Sequence, residues 1–427
     1  MRVWICKISE FTPWDIIQYS ERKFRYTMLA EALVAAGHEV LWWTDDFQHF
    51  KKDKGHRFGK DHFAEVASGI TIRWIHSPGY LRNVSFRRFR DHRIVAGKML
   101  RDADHWPKPD LILGAMPTDT MSAVAVQVGA KYNVPVVLDV RDQWPDIFFS
   151  QLPAFARPVI WALSRNMERS VRDSFSKATA ITGNTDAFVD WGLKKGNRTR
   201  GNLERAFPIG YSKSSNSDYD TTTSGQFWQR YGLESDDGSF KICFLGAFSK
   251  MYDFDPVVKA ARELLPDRKP VKFILCGDGP DLKRLQEAAE GLNNIVFPGR
   301  ISGNEIQALL SMSSVGIIPY IDHDNFGDNI ANKPAEYLSA DLPILISIGG
   351  ILTDLLEDYQ CGFQYKDGNE FIERIRDLRD NPEALEKHRE GASRLFSEKL
   401  DADKIYREFT KHLEFVEDSY SKEVVLD

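Results

Sequence analysis

Apolar residues along this chain form short continuous runs that alternate with stretches of helical periodicity. Strands that are buried on both faces of a parallel sheet give such runs. In the first half we therefore predict strands at RVWICKI, HEVLWWT, ITIRWI, DLILGAM, VPVVLDV and ATAITG. Between the first two, leucine and alanine recur at helical spacing from about Glu21 to Ala36, and Gly37 ends the helix. A strand, a loop, a helix and a second strand in this order predict a doubly wound α/β domain.

The same pattern starts again after residue 207. Residues 206–226 are rich in Ser, Thr, Asp and Gly, which is typical of a linker or loop. Further strands are predicted at FKICFLGAF, VKFILCGDG, NIVFPG, VGIIPY, LPILIS and GFQYK, and the region from about Asn369 to Tyr420 is predicted to be helical. We therefore expect two Rossmann-like domains, over residues 1–208 and 225–402, with a deep cleft at the carboxyl ends of both sheets.

Composition limits the class of protein. The chain has 427 residues, of which 42% are hydrophobic and 28% charged, so we expect a soluble globular protein with two domains. The net charge of −6 argues against general nucleic-acid binding. The sequence has no apolar run of about 20 residues and no signal-peptide pattern at its start. Its four cysteines are scattered, three of them within predicted strands, which favours buried thiols in a reducing cytoplasm.

The most informative segment runs from Asp328 to Ser347 and predicts a loop, a short helix and a buried strand. Its first part, Asp328-Asn-Ile-Ala-Asn-Lys333-Pro-Ala-Glu336, places two carboxylates eight positions apart on either side of the helix start. The unpaired amides and positive dipole end of such a helix can bind an anion such as a phosphate. A carboxylate one turn further along can accept hydrogen bonds from vicinal hydroxyls, such as those of a ribose. Taken alone, the segment is also consistent with an ordinary helix whose Glu336 is a solvated charge.

This segment resembles the donor-site motif of glycosyltransferase family 4, in which two glutamates are separated by seven residues. It is most similar to the capsule, O-antigen and colanic-acid branch, for which Asn-Lys-Pro-x-Glu-Tyr-Leu-Ser-Ala-Gly-Leu-Pro is typical. Asp328 replaces the first glutamate and Asp341 replaces the usual glycine. The resemblance implies the GT-B architecture, with two Rossmann-like domains facing a central cleft. It also implies that a last helix, near residues 403–420, returns to the N-terminal domain.

The resemblance extends to the donor side of the expected cleft. Gly246 follows the first strand of the second half, and Lys250 stands where family members carry an Arg or Lys that contacts the donor phosphates. Gly277 and Gly279, in Gly-Asp-Gly-Pro, allow a backbone to approach a nucleotide closely. Arg300 is a further candidate on the same rim. With Lys333 and Glu336 these residues form the predicted donor site, and Lys250 and Asp328 are predicted to act in catalysis.

Asp253-Phe-Asp255 imitates the Asp-x-Asp metal motif of other glycosyltransferases. We favour a structural role, with Asp255 as the N-cap of a helix that continues with Pro256. GT-B enzymes generally stabilise the leaving diphosphate with protein charges, so no metal or other cofactor is expected.

On the acceptor side, Arg141 and Asp142 follow a buried strand. They resemble the Arg-Asp-Leu-Trp-Pro signature of the same branch, at a place where other members carry His-Asp against the donor sugar. Asp142 is predicted to accept hydrogen bonds from a sugar and to take part in catalysis, whereas Arg141 is either a phosphate contact or a structural ion-pair partner. Arg25 aligns with an arginine of the branch and is predicted to face the cleft from the first loop.

Residues 80–101 carry the strongest local charge bias, with seven basic residues and one acid among aromatic residues. The basic residues are Arg82, Arg87, Arg88, Arg90, Arg93, Lys98 and Arg101. Such a segment suits anionic lipid headgroups or a polyprenyl-diphosphate acceptor. A solvated helix face remains the alternative, and nothing else in the chain supports a nucleic-acid partner.

These observations predict a retaining glycosyltransferase that moves a sugar from a nucleotide-sugar donor to a glycan or polyprenyl-diphosphate-linked acceptor in bacterial surface polysaccharide synthesis. We expect it in the cytoplasm, with possible peripheral contact at the inner face of the membrane. Two alternatives stay open, a sugar-nucleotide 2-epimerase and a non-catalytic sugar-nucleotide-binding scaffold. An epimerase would convert the donor alone, whereas a scaffold would neither hydrolyse nor transfer it.

Overall fold

The structure, a computed structural model, describes residues 1–9, 23–49, 55–82, 85–147, 157–213, 221–321 and 326–426. The chain divides into two compact units. Unit 1 comprises Met1–Pro208 and Asp403–Asp427, and unit 2 comprises Ile209–Ala402. Each unit contains its own largely parallel sheet with helices between successive strands, which confirms the predicted α/β fold class.

Unit 1 contains an eight-stranded sheet. Its strands are β1 (Arg2–Cys6), β2 (Glu39–Asp45), β3 (His62–Ala67), β4 (Ile70–Ile75), β5 (Leu111–Met116), β6 (Val136–Val140), β7 (Ala180–Gly183) and β8 (Arg205–Ala206). Its helices are α1 (Arg25–Ala35), α2 (Phe86–Asp102), α3 (Asp119–Tyr132), α4 (Arg157–Lys177) and α5 (Asp186–Gly196), with a short 3-10 turn at Ala103–His105. The strand order is β3-β4-β2-β1-β5-β6-β7-β8, and all neighbours are parallel except β3 and β4.

The predicted strands of unit 1 are present because each buries nearly its whole length. Every residue of β5 and β6 is buried, as expected for central strands covered on both faces. Strand β3 was not predicted. It is an antiparallel edge strand with the sequence HFAEVA, and its alternating exposure gives no continuous apolar run.

Unit 2 contains a six-stranded sheet that is parallel throughout. Its strands are β9 (Phe240–Leu245), β10 (Val271–Cys276), β11 (Ile295–Gly299), β12 (Val315–Ile318), β13 (Ile344–Ile346) and β14 (Gly362–Gln364). Its helices are α6 (Thr221–Gln229), α7 (Asp255–Leu264), α8 (Leu282–Ala288), α9 (Gly303–Met312), α10 (Asn332–Ser339), α11 (Ile351–Asp358), α12 (Gly368–Asp380) and α13 (Pro382–Leu395), and a π-helical segment spans Phe396–Leu400.

The strand order of unit 2 identifies where a ligand would bind. The order is β11-β10-β9-β12-β13-β14, so the chain builds outward from β9 in one direction and then returns to build from β12 in the other. Ligands of open α/β sheets bind at the carboxyl ends of the strands beside such a switch point. In unit 2 this place lies between the ends of β9 and β12.

The last helix, α14 (Ala402–Leu426), packs within unit 1. Phe409 is fully buried and stacks on Phe207 with ring centroids 4.2 Å apart. Leu413 and Val416 are buried one and two turns further along the same face. Among the described residues, no helix is both long and apolar enough to cross a membrane. All four cysteines are buried and free, and burial raises the pKa of Cys243 to about 12.

Candidate functional site

Two loops meet at the carboxyl edge of the unit 2 sheet through their glycines. Gly246 follows β9 and donates its N–H to the carbonyl of Cys276 at 3.0 Å. Gly277, with φ +140°, leaves room for the Gly246 carbonyl oxygen, which would lie 1.7 Å from a Cβ at position 277. Gly279, with φ +158°, makes the same allowance for the carbonyl of Phe248, at 2.1 Å. These glycines therefore bring two loops of the unit together, and their contact with a donor nucleotide stays a prediction.

Lys333 lies directly over Gly246. A Cβ on Gly246 would lie 2.5 Å from Lys333 Cε and 2.7 Å from its Nζ. The ammonium also lies 4.5 Å from the ring centroid of Tyr252 and 5.2 Å from that of Phe244, and it donates a hydrogen bond to the Tyr252 hydroxyl. Because position 246 has no side chain, this cation lies at the edge of the sheet beside the switch point.

Aromatic residues that the sequence analysis did not single out support this position. Tyr252 stacks on Tyr320, and Tyr320 stacks on Phe326, with centroid distances of 5.2 Å and 4.7 Å. Tyr320 follows β12, so the stack lies across the switch point. The hydroxyl of Tyr337, in α10, accepts a hydrogen bond from the Leu245 N–H at 2.9 Å. This bond fixes helix α10 to the end of β9. The sequence did offer a signal for the aromatic stack, because Tyr252 and Tyr320 each follow a predicted strand.

Helix α10 begins beside Lys333 without a side-chain cap. Its N-cap is Ala331, whose side chain forms no capping hydrogen bond. Glu336 lies one turn along the helix and is 3% exposed. Asp328 is exposed in the turn that precedes the helix. The structure thus places the predicted anion-binding helix start next to Lys333, with a buried carboxylate close behind it.

Two other predicted cations lie on neighbouring loops. The Lys250 side chain is exposed in the loop after β9, where it makes no ion pair with any residue that the structure describes. Arg300 follows β11 and lies 3.6 Å from Asp278, and both side chains are largely exposed. Both cations can therefore reach solvent on the loops that follow the strands of this sheet.

The predicted N-cap role of Asp255 is wrong. Asp255 is the first residue of α7, whose N-cap is Phe254. The carboxylate of Asp253 accepts the Asp255 N–H at 3.0 Å. The first of the two aspartates therefore pairs with an amide at the helix start, while Asp255 contacts Arg284 at 3.3 Å. Among the described residues, the one group of side chains with metal-ligand spacing lies in unit 1 and not at this edge.

Arg25 does not face a ligand site as predicted. It is fully buried, and its guanidinium forms a paired contact with Asp139 at 2.9 and 3.0 Å. Its remaining nitrogen donates to the carbonyls of Phe207 and Pro208. Four of its five N–H donors are thus used within unit 1, and its full burial keeps it from a solvent-exposed ligand site. Sequence reasoning missed this because the partner Asp139 is 114 residues away.

Asp139 is the centre of this buried polar group. Its carboxylate also accepts hydrogen bonds from the hydroxyls of Tyr26 and Thr182, at 2.6 and 2.8 Å. Burial alone would raise the pKa of Asp139, but the charge of Arg25 and the hydrogen bonds from Arg25, Tyr26 and Thr182 hold it below its usual value.

Arg141 and Asp142 follow β6, as predicted. The Arg141 guanidinium lies 5.5 Å from the ring centroid of Tyr26, and the backbone N–H of Arg141 donates to Met116 at 2.8 Å. Asp142 reaches solvent. Desolvation raises the pKa of its carboxyl, which the charges of Arg141, Lys7 and Arg88 oppose. The pair therefore presents one accessible carboxylate beside a partly buried cation.

Helix α2 carries most of the basic segment, whose residues fall into an exposed group and a group that contacts other parts of unit 1. Five of the seven basic residues are exposed, namely Arg82, Arg87, Arg90, Arg93 and Arg101. The other two are used within unit 1: Arg88 lies over the Trp144 ring at 4.6 Å, and Lys98 pairs with Asp61 at 2.9 Å. Leu81 and Phe86 are 72% and 82% exposed beside the exposed arginines.

Two family models match the chain, one in each unit. The "Glycosyl transferase 4-like domain" matches residues 25–200, and "Glycosyl transferases group 1" matches residues 229–394. Together they cover most of the chain. No curated protein matches it significantly.

Solved structures resemble nearly the whole chain at low sequence identity. The sucrose-phosphate synthase from Thermosynechococcus elongatus is 14% identical, with 98% of this chain and 99% of that chain covered and a TM-score of 0.69. WaaG, a glycosyltransferase involved in lipopolysaccharide biosynthesis, is 14% identical, with 97% and 99% covered and a TM-score of 0.65. Alr3699/HepE from Anabaena, in complex with UDP, has the same identity and coverage as WaaG and a TM-score of 0.64. At this identity the likeness shows the fold, which is GT-B.

Fold and family matches agree on the class of protein. Two units with parallel sheets define the GT-B architecture, and each unit matches a glycosyltransferase domain. The chain is therefore a glycosyltransferase of the GT-B type.

Proposed function

We propose that this enzyme transfers a hexose from a nucleotide-sugar donor, whose diphosphate binds at the carboxyl edge of the unit 2 sheet. The observation that carries the proposal is the ammonium of Lys333 over Gly246, at the uncapped start of α10. A cation in the first turn of a helix, at the positive end of the helix dipole, suits the charges of a diphosphate. Solved structures of similar fold contain UDP or UDP-glucose, which supports a donor of this kind.

The reaction breaks a sugar–phosphate bond while an acceptor hydroxyl attacks the sugar. Negative charge grows on the leaving diphosphate, so fixed positive groups there stabilise the transition state more than the ground state. Lys333 and the start of α10 supply this charge, and Lys250 adds to it from the loop after β9. Glu336 accepts the ribose hydroxyls, and Asp328 lies on the turn that would hold the sugar.

The finer parts of the proposal concern stereochemistry and acceptor. We infer a retaining transfer, in which the leaving phosphate helps to deprotonate the acceptor, and Asp142 of unit 1 accepts a hydrogen bond from a sugar hydroxyl. The acceptor is a glycan or a polyprenyl-diphosphate-linked sugar of a bacterial surface polysaccharide. No cofactor takes part in this scheme.

The donor site is tested by moving the Lys333 ammonium without removing it. A methyl group at position 246 would overlap Lys333 Cε and Nζ, so Gly246→Ala displaces the end of a flexible side chain while the fold can remain. A donor raises the melting temperature of the folded protein by mass action. We expect UDP-, GDP- or dTDP-sugars to do so for the natural chain and far less for the variant. Gly225→Ala is the matched control, since a Cβ there meets nothing within 4 Å.

Product analysis then separates the proposed transferase from its rivals. The natural chain with donor alone should leave the donor sugar unchanged apart from slow hydrolysis, and transfer should require an acceptor. Conversion of the donor sugar without an acceptor would establish an epimerase instead. Binding with neither hydrolysis nor transfer would establish a scaffold.

The exposed arginines within and just before α2 support a peripheral contact with an anionic membrane. Each basic residue near such a surface contributes about 1 kcal/mol. Replacing Arg82, Arg87 and Arg90 by Ala should therefore weaken binding to phosphatidylglycerol vesicles on the order of 100-fold, with no effect on phosphatidylcholine vesicles. Co-sedimentation measures this, and equal binding by the natural chain and the triple variant would contradict the proposal.

A further inference from the structure

Three side chains that commonly bind transition metals meet in unit 1, where the proposed reaction assigns them no role. Asp46 directly follows β2, His76 directly follows β4, and His56 lies in the segment between them. An Asp46 carboxylate oxygen lies 3.2 Å from His76 Nδ1, and the other lies 3.9 Å from His56 Nε2. The two imidazole rings have centroids 4.6 Å apart. One potential ligand atom from each residue lies within 4.8 Å of the other two.

The backbone holds the three positions together. The Asp46 N–H donates to the Ile75 carbonyl at 3.1 Å, which joins the ends of β2 and β4. The Arg57 N–H donates to the Asp46 carbonyl at 2.8 Å, and Phe47 and His56 pair as an antiparallel bridge. The cluster is therefore built on hydrogen-bonded backbone from three parts of the chain.

The carboxylate is buried and oriented, whereas both imidazoles reach solvent. The Asp46 side chain is fully buried, and it accepts the Gly59 N–H at 3.0 Å. The His56 and His76 side chains are 22% and 35% exposed. A carboxylate held from behind by an amide, with two imidazoles open to water in front, has the outer support and the entry path that a metal site needs.

We propose that Asp46, His56 and His76 bind one divalent transition-metal ion, with Zn²⁺ as the preferred ion. Ligand atoms at about 2.0–2.2 Å from tetrahedral Zn²⁺ are roughly 3.3–3.6 Å apart. From one oxygen of Asp46, Oδ1, the separations are 3.3 Å to His76 Nδ1 and 3.9 Å to His56 Nε2. One ligand atom from each residue lies within 4.8 Å of the other two, so side-chain rotations must bring the three to tetrahedral spacing. Two nitrogens and one oxygen select a transition metal over Mg²⁺ or Ca²⁺, which prefer oxygen ligands.

Binding of the ion would change the hydrogen bonds of both histidines. His56 Nε2 lies 2.6 Å from the Ser77 carbonyl oxygen, and a carbonyl can only accept, so that nitrogen carries a proton. His76 Nδ1 shares a second proton with Asp46. For neutral His56 to bind Zn²⁺ through Nε2, its proton moves to Nδ1 and the hydrogen bond to Ser77 is given up. His76 would bind through Nδ1 with its proton on Nε2, any additional proton would pass to solvent, and water would take the fourth position. The bound ion would fasten residues 55–59 to the ends of β2 and β4.

Zinc content and Co²⁺ spectroscopy on the full chain, without a histidine tag, test the site. After chelator treatment and dialysis against Zn²⁺ we expect one ion per chain. Co²⁺ in its place should give the intense visible absorption of a tetrahedral nitrogen–oxygen site. The double variant His56→Gln with His76→Gln keeps amide donors in place of the two rings, and we expect it to bind Zn²⁺ about 100-fold more weakly, with no Co²⁺ band.

His105→Gln is the matched control. His105 forms a single exposed pair with Asp102, at 3.5 Å, and no three-residue cluster. This variant should keep the full zinc content and the Co²⁺ band. An unchanged zinc content in the double variant would overturn the proposal, and so would a natural chain with neither zinc nor a Co²⁺ band. In that second case the three residues form a hydrogen-bonded network only, and because the measurement uses the natural chain, misfolding of a variant cannot produce it.

Discussion

The carboxyl edges of the two sheets use charge in opposite ways. In unit 1 the arginine predicted to meet a ligand, Arg25, is buried against Asp139 and also donates to a backbone carbonyl. In unit 2 the lysine predicted to meet a ligand, Lys333, lies over a glycine among aromatic rings, beside an uncapped helix start. A basic residue in the first turn of a helix thus serves architecture in one unit and anion binding, as we propose, in the other. The contacts of the two cations differ: Arg25 is bonded to a buried carboxylate, whereas Lys333 lies against two aromatic rings and donates to the Tyr252 hydroxyl.

The largest expected effect tests the architectural side of this comparison. Arg25→Ala leaves Asp139 as a buried charge with its main partner removed, which should lower the free energy of unfolding by about 3–5 kcal/mol. Urea denaturation measures it. Arg87→Ala, an exposed change on α2, should stay within about 0.5 kcal/mol. A loss as small as this for Arg25→Ala would mean that the ion pair is not what holds β6 to α1.

Lys250→Ala tests the proposed anion-binding role of the charges in unit 2. If the charges of unit 2 serve the reaction, removing one that faces the leaving diphosphate should lower turnover by about 10²–10³. Stability should hardly change, because Lys250 is exposed. Initial rates at saturating donor measure the effect. Lys283→Ala, on an 88% exposed lysine of the same unit, should retain full turnover, and equal rates for both variants would remove Lys250 from the mechanism.

The sequence predicted the elements that are buried along their whole length. It did not predict the role of a residue whose contacts are made with a partner far away in the chain. The central strands were predicted because each is an apolar run, and the glycines at the ends of β9 and β10 were predicted because they directly follow such runs. The edge strand β3 was missed because only one of its faces packs. The burial of Arg25 was missed because nothing near it in the chain marks Asp139 as its partner.

The same distinction applies to the candidate site. Lys333 and Glu336 were found because they lie in one short motif. The stack of Tyr252 on Tyr320 joins the ends of two strands that are adjacent in the sheet but 68 positions apart in the chain, and only the strand order reveals it. Local patterns thus predict which residues lie at the carboxyl edge of a sheet. The packing around that edge determines which of these residues are accessible to a ligand.

A buried acid in unit 1 gives a pH-dependent prediction. Burial raises the pKa of Asp119, at the start of α3, to about 6, although the Thr120 amide and Arg93 oppose it. Because the folded-state pKa lies above the unfolded value of about 3.9, the protonated carboxyl stabilises the folded chain at low pH. This stabilisation is lost as the pH rises through about 6. Asp119→Asn should therefore be nearly neutral at pH 4 and stabilising by up to about 3 kcal/mol at pH 7.

Denaturation of both proteins across this pH range measures the difference. Asp104→Asn provides a control of opposite sign, because the Lys131 hydrogen bond lowers the pKa of this exposed acid. Its stabilising contribution is present at neutral pH and is lost as the pH falls. A pH-independent difference for Asp119→Asn would show that burial does not shift its titration.

The smallest expected effect concerns the far end of the helix that carries the proposed site. Asp341 follows α10 with φ +57°, where the resembling family carries glycine. A left-handed conformation costs an ordinary residue about 1–2 kcal/mol, and aspartate less because it can form local hydrogen bonds. We therefore expect stability to rise by up to about 1 kcal/mol in Asp341→Gly and to fall in Asp341→Ala. The ion pair with Lys213, at 3.7 Å and half exposed, is too weak to reverse this order. A melting temperature that is highest for the glycine variant and lowest for the alanine variant, with unchanged turnover, would show that position 341 serves the turn alone. Lower turnover in the more stable glycine variant would instead connect this turn to the site at the other end of α10.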